Sequence, residues 1–287
     1  MNALRGLLDF ISRLVDSYSP SHLVCCWDND WRPQWRVDLI PSYKAHRVAK
    51  SGDAVVAEMT SSASTAAEGA PEGLAVQVPL ILAVLDSLGI AVVGKDGYEA
   101  DDVIGTLAST APMPVDVVTG DRDLFQVVDD ERQVRVLYIA RGVGKHEVVD
   151  NAWVQARYGI PAAAYVDYAT LRGDASDGLP GVSGIGDKTA ATLLNSYRNL
   201  EEILAAASGP KPKISGSVSA KLRAAIDYLA VAPTVVAVAR DLDLGITFDD
   251  LVCPTAPAKP EVFAELTELL GLRGSAERVL ASLAKDP

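Results

Sequence analysis

Apolar residues recur along the first half of the chain with two spacings, one typical of helices and one typical of strands. From Leu4 to Val15 they lie three and four positions apart, and this spacing predicts an amphipathic helix. Residues 77–88 are predicted to form a second helix, with Pro79 in its first turn. Short apolar or β-branched runs predict strands at residues 22–27, 90–93, 115–118 and 134–139. Because strands and helices alternate, we predict an α/β fold with a mainly parallel sheet flanked by helices.

The later part of the chain has a different pattern, since strand signals fade after about residue 165 and helical spacing dominates. We therefore expect an α/β core over residues 1–165, a helical module over 166–253, and a linker with a helical tail over 254–287. Within the core, residues 48–74 are expected to form a flexible insertion. Its centre, Ser51–Gly73, is rich in Ala, Ser, Thr, Gly and Glu and has no aromatic residue.

Composition and charge bear on three properties of the protein: association with membranes, cellular compartment and binding of nucleic acid. The sequence has no run of about 18 apolar residues, so we expect no membrane partner. Its three cysteines, Cys25, Cys26 and Cys253, have no metal-ligand spacing, which favours a reducing cytoplasm. The net charge of −12 is unusual for a nucleic-acid-binding protein, because phosphates are bound through Lys and Arg. Either nucleic acid is not the partner, or the acids lie where metal ions neutralise them.

Acidic residues cluster in four stretches, two of which follow predicted strands. They are Asp28; Glu99, Asp101 and Asp102; Asp121 and Asp123; and Asp174 and Asp177. Each stretch alone has an ordinary explanation, such as acids at a helix N-terminus or a polar turn. Together they offer the hard oxygen ligands that Mg²⁺ or Mn²⁺ prefers. Two such ions about 3.5–4 Å apart can activate a water and stabilise the leaving oxygen of a phosphodiester.

Ordered motifs around these acids resemble the 5′-nuclease family, which includes the amino-terminal exonuclease domain of bacterial DNA polymerase I and the flap endonucleases. The resemblance extends to about residue 250. Its motifs are Cys26–Asp28, Ile40–Arg47, Gly97–Gly105, Thr119–Asp123, Leu171–Gly181 and Val182–Ala190. The resemblance implies a PIN-like nuclease core followed by a helical helix–hairpin–helix module.

The family pattern implies roles for the acids and for nearby basic residues. One metal group would contain Asp28, Glu99, Asp101 and Asp102. A second group would contain Asp123, Asp174 and Asp177, with Asp121 between the two groups. The same pattern implies that Lys44 and Arg47 are a basic pair beside the scissile phosphate, where a cation stabilises developing negative charge. Arg32 and Arg36 are weaker candidates for phosphate contacts.

A glycine-rich stretch, residues 181–186, resembles the family's helix–hairpin–helix element. Gly181, Gly184 and Gly186 would let DNA approach the backbone, and amides at a helix start bind phosphate without reading sequence. Lys188 would add a charge-based contact. Further basic residues could lie nearby, namely Lys211, Lys213, Lys221 and Arg223. The resemblance also implies K⁺ as a candidate ligand of the hairpin.

Two features depart from the family pattern. The family normally begins with a strand that ends in Asp-Gly and supplies a further metal carboxylate, whereas this sequence begins in what matches the first helix. We expect such a strand to be encoded upstream, and activity to be impaired without it. The second departure is the insertion, where the family carries an arch for the 5′ strand: Ser51–Gly73 contains no Lys or Arg, so threading of a 5′ flap is not expected.

The sequence thus predicts a metal-dependent 5′-3′ exonuclease or flap endonuclease of replication or repair. Its partners would be DNA 5′ ends, flaps or branched duplexes, with RNA primers as a further candidate, and it would act as a monomer. One alternative is a non-catalytic protein that binds branched DNA, inactivated by loss of the first strand. A third reading, an acidic cation-binding protein without a DNA partner, depends only on the net charge.

Overall fold

A computed structural model describes residues 2–49, 74, 76–208 and 213–285. Most of the predicted insertion, 48–74, therefore lies outside the described residues. The helices are α1 (Asn2–Tyr18), α2 (Gln34–Leu39), α3 (Ala45–Ala49), α4 (Val78–Leu88), α5 (Ala100–Thr110), α6 (Asn151–Tyr158), α7 (Tyr165–Arg172), α8 (Asp187–Tyr197), α9 (Leu200–Ser208), α10 (Gly216–Ala224), α11 (Ile226–Val236), α12 (Pro260–Leu269) and α13 (Arg273–Leu283). The strands are β1 (Val24–Trp27), β2 (Ala91–Gly94), β3 (Val115–Thr119), β4 (Val134–Tyr138) and β5 (Glu147–Val149).

The chain folds into two compact units that do not follow chain order. The first unit contains Met1–Trp31, Ala54–Val103 and Asp243–Pro287, and the second contains Arg32–Asp53 and Ile104–Leu242. Each unit has a hydrophobic core of its own. The predicted division into 1–165, 166–253 and 254–287 stays a prediction, because these units group the chain by contacts and not by function.

The first unit is built on α1, whose apolar face contains Leu4, Leu8, Ile11 and Val15, all buried. This spacing places the four side chains on one side of the helix, where they join a core with α4, α12 and α13. Strands β1 and β2 pair in parallel, with Val24 opposite Ala91 and Trp27 opposite Gly94. Both strands therefore end at the same edge of this sheet.

The second unit contains a three-stranded sheet of order β3-β4-β5, packed with helices α6 to α11 around one core. Strands β3 and β4 are parallel, and β5 is antiparallel to β4. An aromatic cluster around Phe125 fills this core, with the Phe125 ring 5.6 Å from the ring of Tyr165 in an edge-on arrangement. The loop after β3 is thereby attached to α7.

The structure confirms the α/β class and each predicted helix and strand of the first half, with no end shifted by more than three residues. The described strands form two sheets, of two and three strands, and β5 is an additional short strand. The predicted helical tail consists of two helices, α12 and α13, separated near Gly271, whose φ is +64°. Of the helices in the described ranges, none combines the length and the apolar character that crossing a bilayer requires.

Candidate functional site

The predicted acids fall into two groups, and each group lies within one compact unit. The first unit contains the first carboxylate group, Asp28, Glu99, Asp101 and Asp102. The second unit contains the second carboxylate group, Asp121, Asp123, Asp174 and Asp177, together with Lys44 and Arg47. The boundary between the groups is the one that the family resemblance implies, except that Asp121 lies with the second.

The first carboxylate group is held by backbone amides at the start of α5. Asp28 follows β1, and its Oδ1 accepts a hydrogen bond of 2.6 Å from the amide of Ala100. The amide of Glu99 donates to Oδ2 of Asp102 at 3.1 Å. Asp102 is fully buried and Glu99 is 4% exposed. The N-terminus of a helix stabilises such negative charge, because its first amides have no partner within the helix.

Close packing holds the end of β1 beside this helix start. The side chain of Asn29 donates to Oδ1 of Asp96 at 2.7 Å, and the amide of Asp30 donates to the carbonyl of Tyr98 at 3.3 Å. Burial first, and then the charges of Cys25 and Asp101, raise the pKa of Cys26 to about 12. The charge of Asp101 therefore adds to the effects that keep the Cys26 thiol on β1 protonated.

The second carboxylate group begins in the turn after β3. The amide of Asp121 donates to Oγ1 of Thr119 at 3.0 Å, and the amide of Asp123 donates to Oδ1 of Asp121 at 2.9 Å. Asp123 then starts a short 3-10 helix, Asp123–Val127. The turn therefore presents two carboxylates immediately beyond the carboxyl end of a parallel strand, where α/β sheets commonly bind ligands.

A second loop, after α7, carries Asp174 and Asp177. The backbones of Asp174 and Leu179 exchange hydrogen bonds of 3.0 and 2.8 Å, which close the loop. Oδ1 of Asp174 accepts hydrogen bonds from the amide and the hydroxyl of Ser176. Oδ2 of Asp174 accepts one from Nη2 of Arg172 at 3.0 Å. The carboxylate of Asp174 is thus oriented by three hydrogen bonds from its own segment.

Backbone contact joins this loop to the segment that carries the predicted basic pair. The Oγ of Ser42 donates to the carbonyl of Gly178 at 2.7 Å, and the amide of Lys44 donates to the carbonyl of Asp177 at 2.9 Å. Gly178 has a φ of +71°, and a Cβ atom there would lie 2.1 Å from the carbonyl oxygen of Ser42. Only glycine fits this conformation and this approach.

Arg47 and Lys44 both act on Asp177, in different ways. Nη2 of Arg47 lies 2.7 Å from Oδ1 of Asp177 and also donates to the carbonyl of Ser176 at 2.9 Å. The side chain of Arg47 is 38% exposed, whereas Lys44 is only 8% exposed. Lys44 has a left-handed backbone with φ +49°, and its Nζ lies 5.1 Å from the ring centroid of Tyr43. Arg47 is therefore the more accessible cation of the pair.

The second carboxylate group has uneven proton affinities. Burial, and then the charges of Asp121, Asp177 and Asp174, raise the pKa of Asp123 to about 8. Burial also raises the pKa of Asp177, against the charges of Lys44 and Arg47. Burial alone would raise the pKa of Asp174, but hydrogen bonds from Ser176 and the charges of Arg172 and Arg122 lower it overall. The carboxylates thus repel one another, and a further cation would relieve that repulsion.

Within residues 2–49, 74, 76–208 and 213–285, no three His, Cys, Asp or Glu side chains are gathered closely enough to hold an ion as they stand. In the second carboxylate group these side chains have other partners: Asp177 is engaged by Arg47, Asp174 by Arg172 and Ser176, and Asp121 by the amide of Asp123. An ion bound by this group would compete with the two arginines for the carboxylate oxygens.

Three supporting residues of the second carboxylate group were not predicted from the sequence. Gln126 is buried, and its Nε2 donates to the carbonyls of Asp123 (2.8 Å) and Val236 (3.1 Å), while its Oε1 accepts from the amide of Val238 at 2.9 Å. Arg172 and Ser176, which orient Asp174, are the other two. Their positions beside Gly173-Asp174 were a signal for the last two, whereas nothing local to Gln126 indicated that it contacts the end of α11.

The two weaker phosphate candidates are engaged with backbone carbonyls. Arg36 is 2% exposed, and its guanidinium donates to the carbonyls of Val235 (3.1 Å) and Ala237 (3.3 Å). The prediction that Arg36 contacts phosphate is therefore wrong: this charge is buried and anchors α2 to the end of α11. Arg32 donates to the carbonyls of Tyr43 (2.6 Å) and Pro41 (3.2 Å), so it supports the loop that carries Lys44. Its phosphate contact stays a prediction.

The glycine hairpin, Gly181–Gly186, contains glycines with different local roles. A Cβ atom at Gly181 would lie 2.5 Å from the carbonyl oxygen of Arg172, so this glycine permits a close backbone approach. Gly184 has a φ of +73°, and Gly186 is the exposed N-cap of α8. Lys188 is exposed in the first turn of α8. Amides at such a helix start suit the phosphate contacts that the sequence predicts.

Comparison with known proteins identifies the family. A family model described as "5′-3′ exonuclease, N-terminal resolvase-like domain" matches residues 1–159, and one described as "5′-3′ exonuclease, C-terminal SAM fold" matches residues 160–259. The chain belongs to the 5′-3′ exonuclease family. The family resemblance of the sequence motifs is thereby confirmed.

Individual relatives agree with this assignment. A 5′-3′ exonuclease of Streptomyces coelicolor is 53% identical over 283 residues, which cover 99% of this chain and 90% of the relative. A 5′-3′ exonuclease of Mycobacterium tuberculosis is 46% identical over 293 residues, covering 100% of this chain and 90% of the relative. DNA polymerase I of Mycobacterium bovis is 33% identical over 253 residues, which cover 87% of this chain and 25% of the polymerase.

Solved structures share the fold of this 5′-3′ exonuclease family member. The T5 D15 protein co-crystallised with metal ions has a TM-score of 0.61 and 18% identity, covering 96% of this chain and 91% of that chain. The catalytic core of Rad2 in complex with DNA substrate has a TM-score of 0.57 and 14% identity, covering 95% of this chain and 82% of that chain. At these identities the likeness concerns the fold.

Proposed function

We propose that this chain hydrolyses phosphodiester bonds of DNA from 5′ ends and at flaps, with divalent metal ions held by the two carboxylate groups. The observation that carries the proposal is the second carboxylate group. Four aspartates from two loops interact electrostatically: burial first, and then the charges of Asp121, Asp177 and Asp174, raise the pKa of Asp123 to about 8. The accessible guanidinium of Arg47 pairs with one of them, Asp177. A site that concentrates negative charge next to an accessible cation suits both a metal ion and a phosphate.

The donor set fits Mg²⁺ or Mn²⁺, because it consists of carboxylate oxygens without sulfur or imidazole. We propose that Asp28, Glu99, Asp101 and Asp102 hold one ion and that Asp123, Asp174 and Asp177, with Asp121, hold another. When bound, such ions lower the pKa of a water nucleophile and stabilise the leaving oxygen.

The remaining roles belong to basic side chains of the second unit. Arg47 would leave Asp177 and pair with a substrate phosphate, since an arginine fork matches two phosphate oxygens. Lys44, buried on the same segment, keeps positive charge beside that phosphate. Asp123 would remain ionised once a cation is bound. The glycine hairpin and Lys188 would contact the DNA backbone away from the reacting bond.

Relatives indicate the substrate class. One related structure is described as a flap endonuclease of bacteriophage T5 in a pseudo-enzyme-product complex with DNA and metal ions. The Rad2 core is described as bound to DNA substrate. These descriptions, with the polymerase relatives, support a substrate with a 5′ end or flap in replication or repair, and we propose RNA primers as a further substrate. We also propose that the protein is a monomer. We propose that it works in the cytoplasm, and its three free cysteines support this reducing compartment.

The test uses two preparations of a flap duplex, one with a label at the 5′ end of the flap strand and one with a label at its 3′ end. With Mg²⁺ or Mn²⁺, the chain should release short 5′-labelled products, and Asp121→Ala should not. Asp116→Ala is the matched control, because Asp116 is an exposed aspartate on β3 that pairs with Arg135 outside the site. Binding of the flap in Ca²⁺ without cleavage in either metal would favour a non-catalytic branched-DNA-binding protein. Failure to bind at all would refute both.

A further inference from the structure

At the tip of the glycine hairpin, a lysine side chain contacts a backbone carbonyl of the turn. The amide of Ile185 donates to the carbonyl of Val182 at 2.9 Å, and Gly184 takes the left-handed position of this turn. The carbonyl oxygen of Gly184 accepts a hydrogen bond of 2.9 Å from Nζ of Lys221. A Cβ atom at Gly184 would lie only 2.6 Å from that Nζ, so the glycine also makes room for the ammonium.

Lys221 is placed by a well-anchored helix. Its neighbour Leu222 is fully buried in the core, and Ser219 is fully buried with its hydroxyl donating to the carbonyl of Ile214 at 3.1 Å. Nη1 of Arg223 donates to the carbonyl of Ala207 at 2.8 Å. The last turn of α10, which also favours a cation, is therefore fixed in place.

The surroundings of this ammonium are polar and accessible. Ser183, Gly184, Gly186 and Lys188 are all exposed. The acid nearest in sequence to Gly184, Asp187, accepts a hydrogen bond of 2.9 Å from the hydroxyl of Tyr168. An ammonium has three N–H donors, and the Gly184 carbonyl takes one of them. The others can reach a solvent-side phosphate that binds at the hairpin amides.

We propose that Lys221 is the built-in cation of the glycine hairpin, and that DNA binding through this hairpin does not use K⁺. This inference rests on the proposed function, since it concerns the DNA that the nuclease would hold. The exposed Gly184 carbonyl of this turn already accepts a hydrogen bond from a tethered ammonium. A K⁺ ion at the same oxygen would be repelled by that charge and would have to displace it. Lys221 fixes the turn and contacts a phosphate, while the chemistry remains with the carboxylate groups.

The experiment measures binding of a fluorescent 5′-flap duplex by anisotropy in Ca²⁺, so it does not depend on cleavage. At constant ionic strength, K⁺ is replaced by tetramethylammonium, which is too large to coordinate to a carbonyl cluster. The unmutated chain should bind with the same Kd, within about twofold, in both salts. Lys221→Met should bind about tenfold more weakly in tetramethylammonium and should regain part of that loss in K⁺. Its affinity should also depend less on salt, with the slope of log K against log salt reduced by roughly 1.

Lys213→Met is the matched control. Lys213 is an exposed lysine on the segment that precedes α10, and its amide rather than its ammonium makes the contact to Ala206. This variant removes the same charge without touching the hairpin, so it should show no response to K⁺. Circular dichroism of all three proteins would confirm equal folding. The proposal is overturned if the unmutated chain itself binds more tightly in K⁺. It is also overturned if Lys221→Met shows no response to K⁺, or weakens binding no more than Lys213→Met.

Discussion

The two carboxylate groups differ in the contacts that stabilise their charge. In the first, backbone amides at the start of α5 do so, as the amide of Ala100 does for Asp28. In the second, amides contribute as well, but arginine side chains are added, as Arg47 is for Asp177 and Arg172 is for Asp174. Amides are fixed in the helix, whereas an arginine side chain can move to another anion. We therefore expect the first group to be preorganised, and the second to exchange counter-ions when a metal ion or a phosphate arrives.

The largest expected effect is on cleavage, and it should be similar in both groups. Asp28→Asn and Asp174→Asn should each slow cleavage of a 5′-flap duplex by more than about 100-fold, because loss of a direct ligand should exceed the 10–100-fold typical of residues behind the ligands. Single-turnover rates in Mg²⁺ measure this, with Asp116→Asn as the control. If either variant kept a tenth of the parent's cleavage rate, the substituted carboxylate would not be a direct metal ligand.

Replacing one glycine near each carboxylate group should lower the free energy of unfolding by different amounts. Gly178→Ala forces a Cβ atom to within 2.1 Å of the Ser42 carbonyl at a φ of +71°, and we expect a loss of about 2–4 kcal/mol in the free energy of unfolding. Gly94→Ala in the first unit would place a Cβ atom 2.0 Å from Oδ1 and 2.9 Å from Cγ of Asn29, and 3.1 Å from the carbonyl oxygen of Trp27. Because the Asn29 side chain can rotate away, we expect a loss of no more than about 1 kcal/mol. Denaturant unfolding compares the two. Equal losses would show that the second group does not depend on this close backbone contact.

The exchange of counter-ions can be tested at Arg47. Arg47→Gln should bind Mn²⁺ several-fold more tightly, since Asp177 no longer shares its charge, yet should cleave roughly 10-fold more slowly, since a charge-assisted phosphate contact is lost. Metal titration and cleavage rates separate the two effects. Arg135→Gln is matched, because Arg135 pairs with Asp116 at 2.6 Å and is similarly exposed. Parallel losses of metal affinity and rate in Arg47→Gln would contradict the exchange.

The smallest expected effect concerns pH. Because the pKa of Asp123 is raised from 3.8 to about 8, its protonated form contributes stability that is complete below about pH 4 and is lost as pH rises through 8. Asp123→Asn should therefore melt at a temperature higher by roughly 3–8 °C than the metal-free parent at pH 9, and the difference should vanish near pH 4. Thermal melts in chelator measure this. A variant that melts at the parent's temperature at pH 9 would show that Asp123 is not destabilised by its neighbours.

The sequence was sufficient for the strands and for the acids that follow them. Val115–Val118 is a β-branched run, and the acids after it had to lie at a sheet edge, which is where Asp121 and Asp123 are found. Other features depend on partners distant in sequence. Arg36 looks like a surface cation in its own segment, but the carbonyls of α11 bury it. The three-residue strand β5 is too short for a period to be recognised, and its pairing with β4 provides the structure instead.

The roles of single residues were harder to predict than their presence. Lys44 and Arg47 were predicted as an equivalent pair, yet one is buried and the other exposed, because Lys44 lies where the Ser42 segment meets Gly178. Gln126 has no motif, and its importance comes only from linking Asp123 to the end of α11. Spacing along a chain predicts which residues share an edge or a face, but not how far each is withdrawn from solvent.

Calorimetric titration with Mn²⁺ tests most directly the claim that each carboxylate group holds a divalent ion. The unmutated chain should bind two ions. Asp28→Asn and Asp174→Asn should each bind one, and the variant carrying both substitutions should bind none with comparable affinity. A single ion bound by the unmutated chain, or two ions bound unchanged by either single variant, would contradict the account.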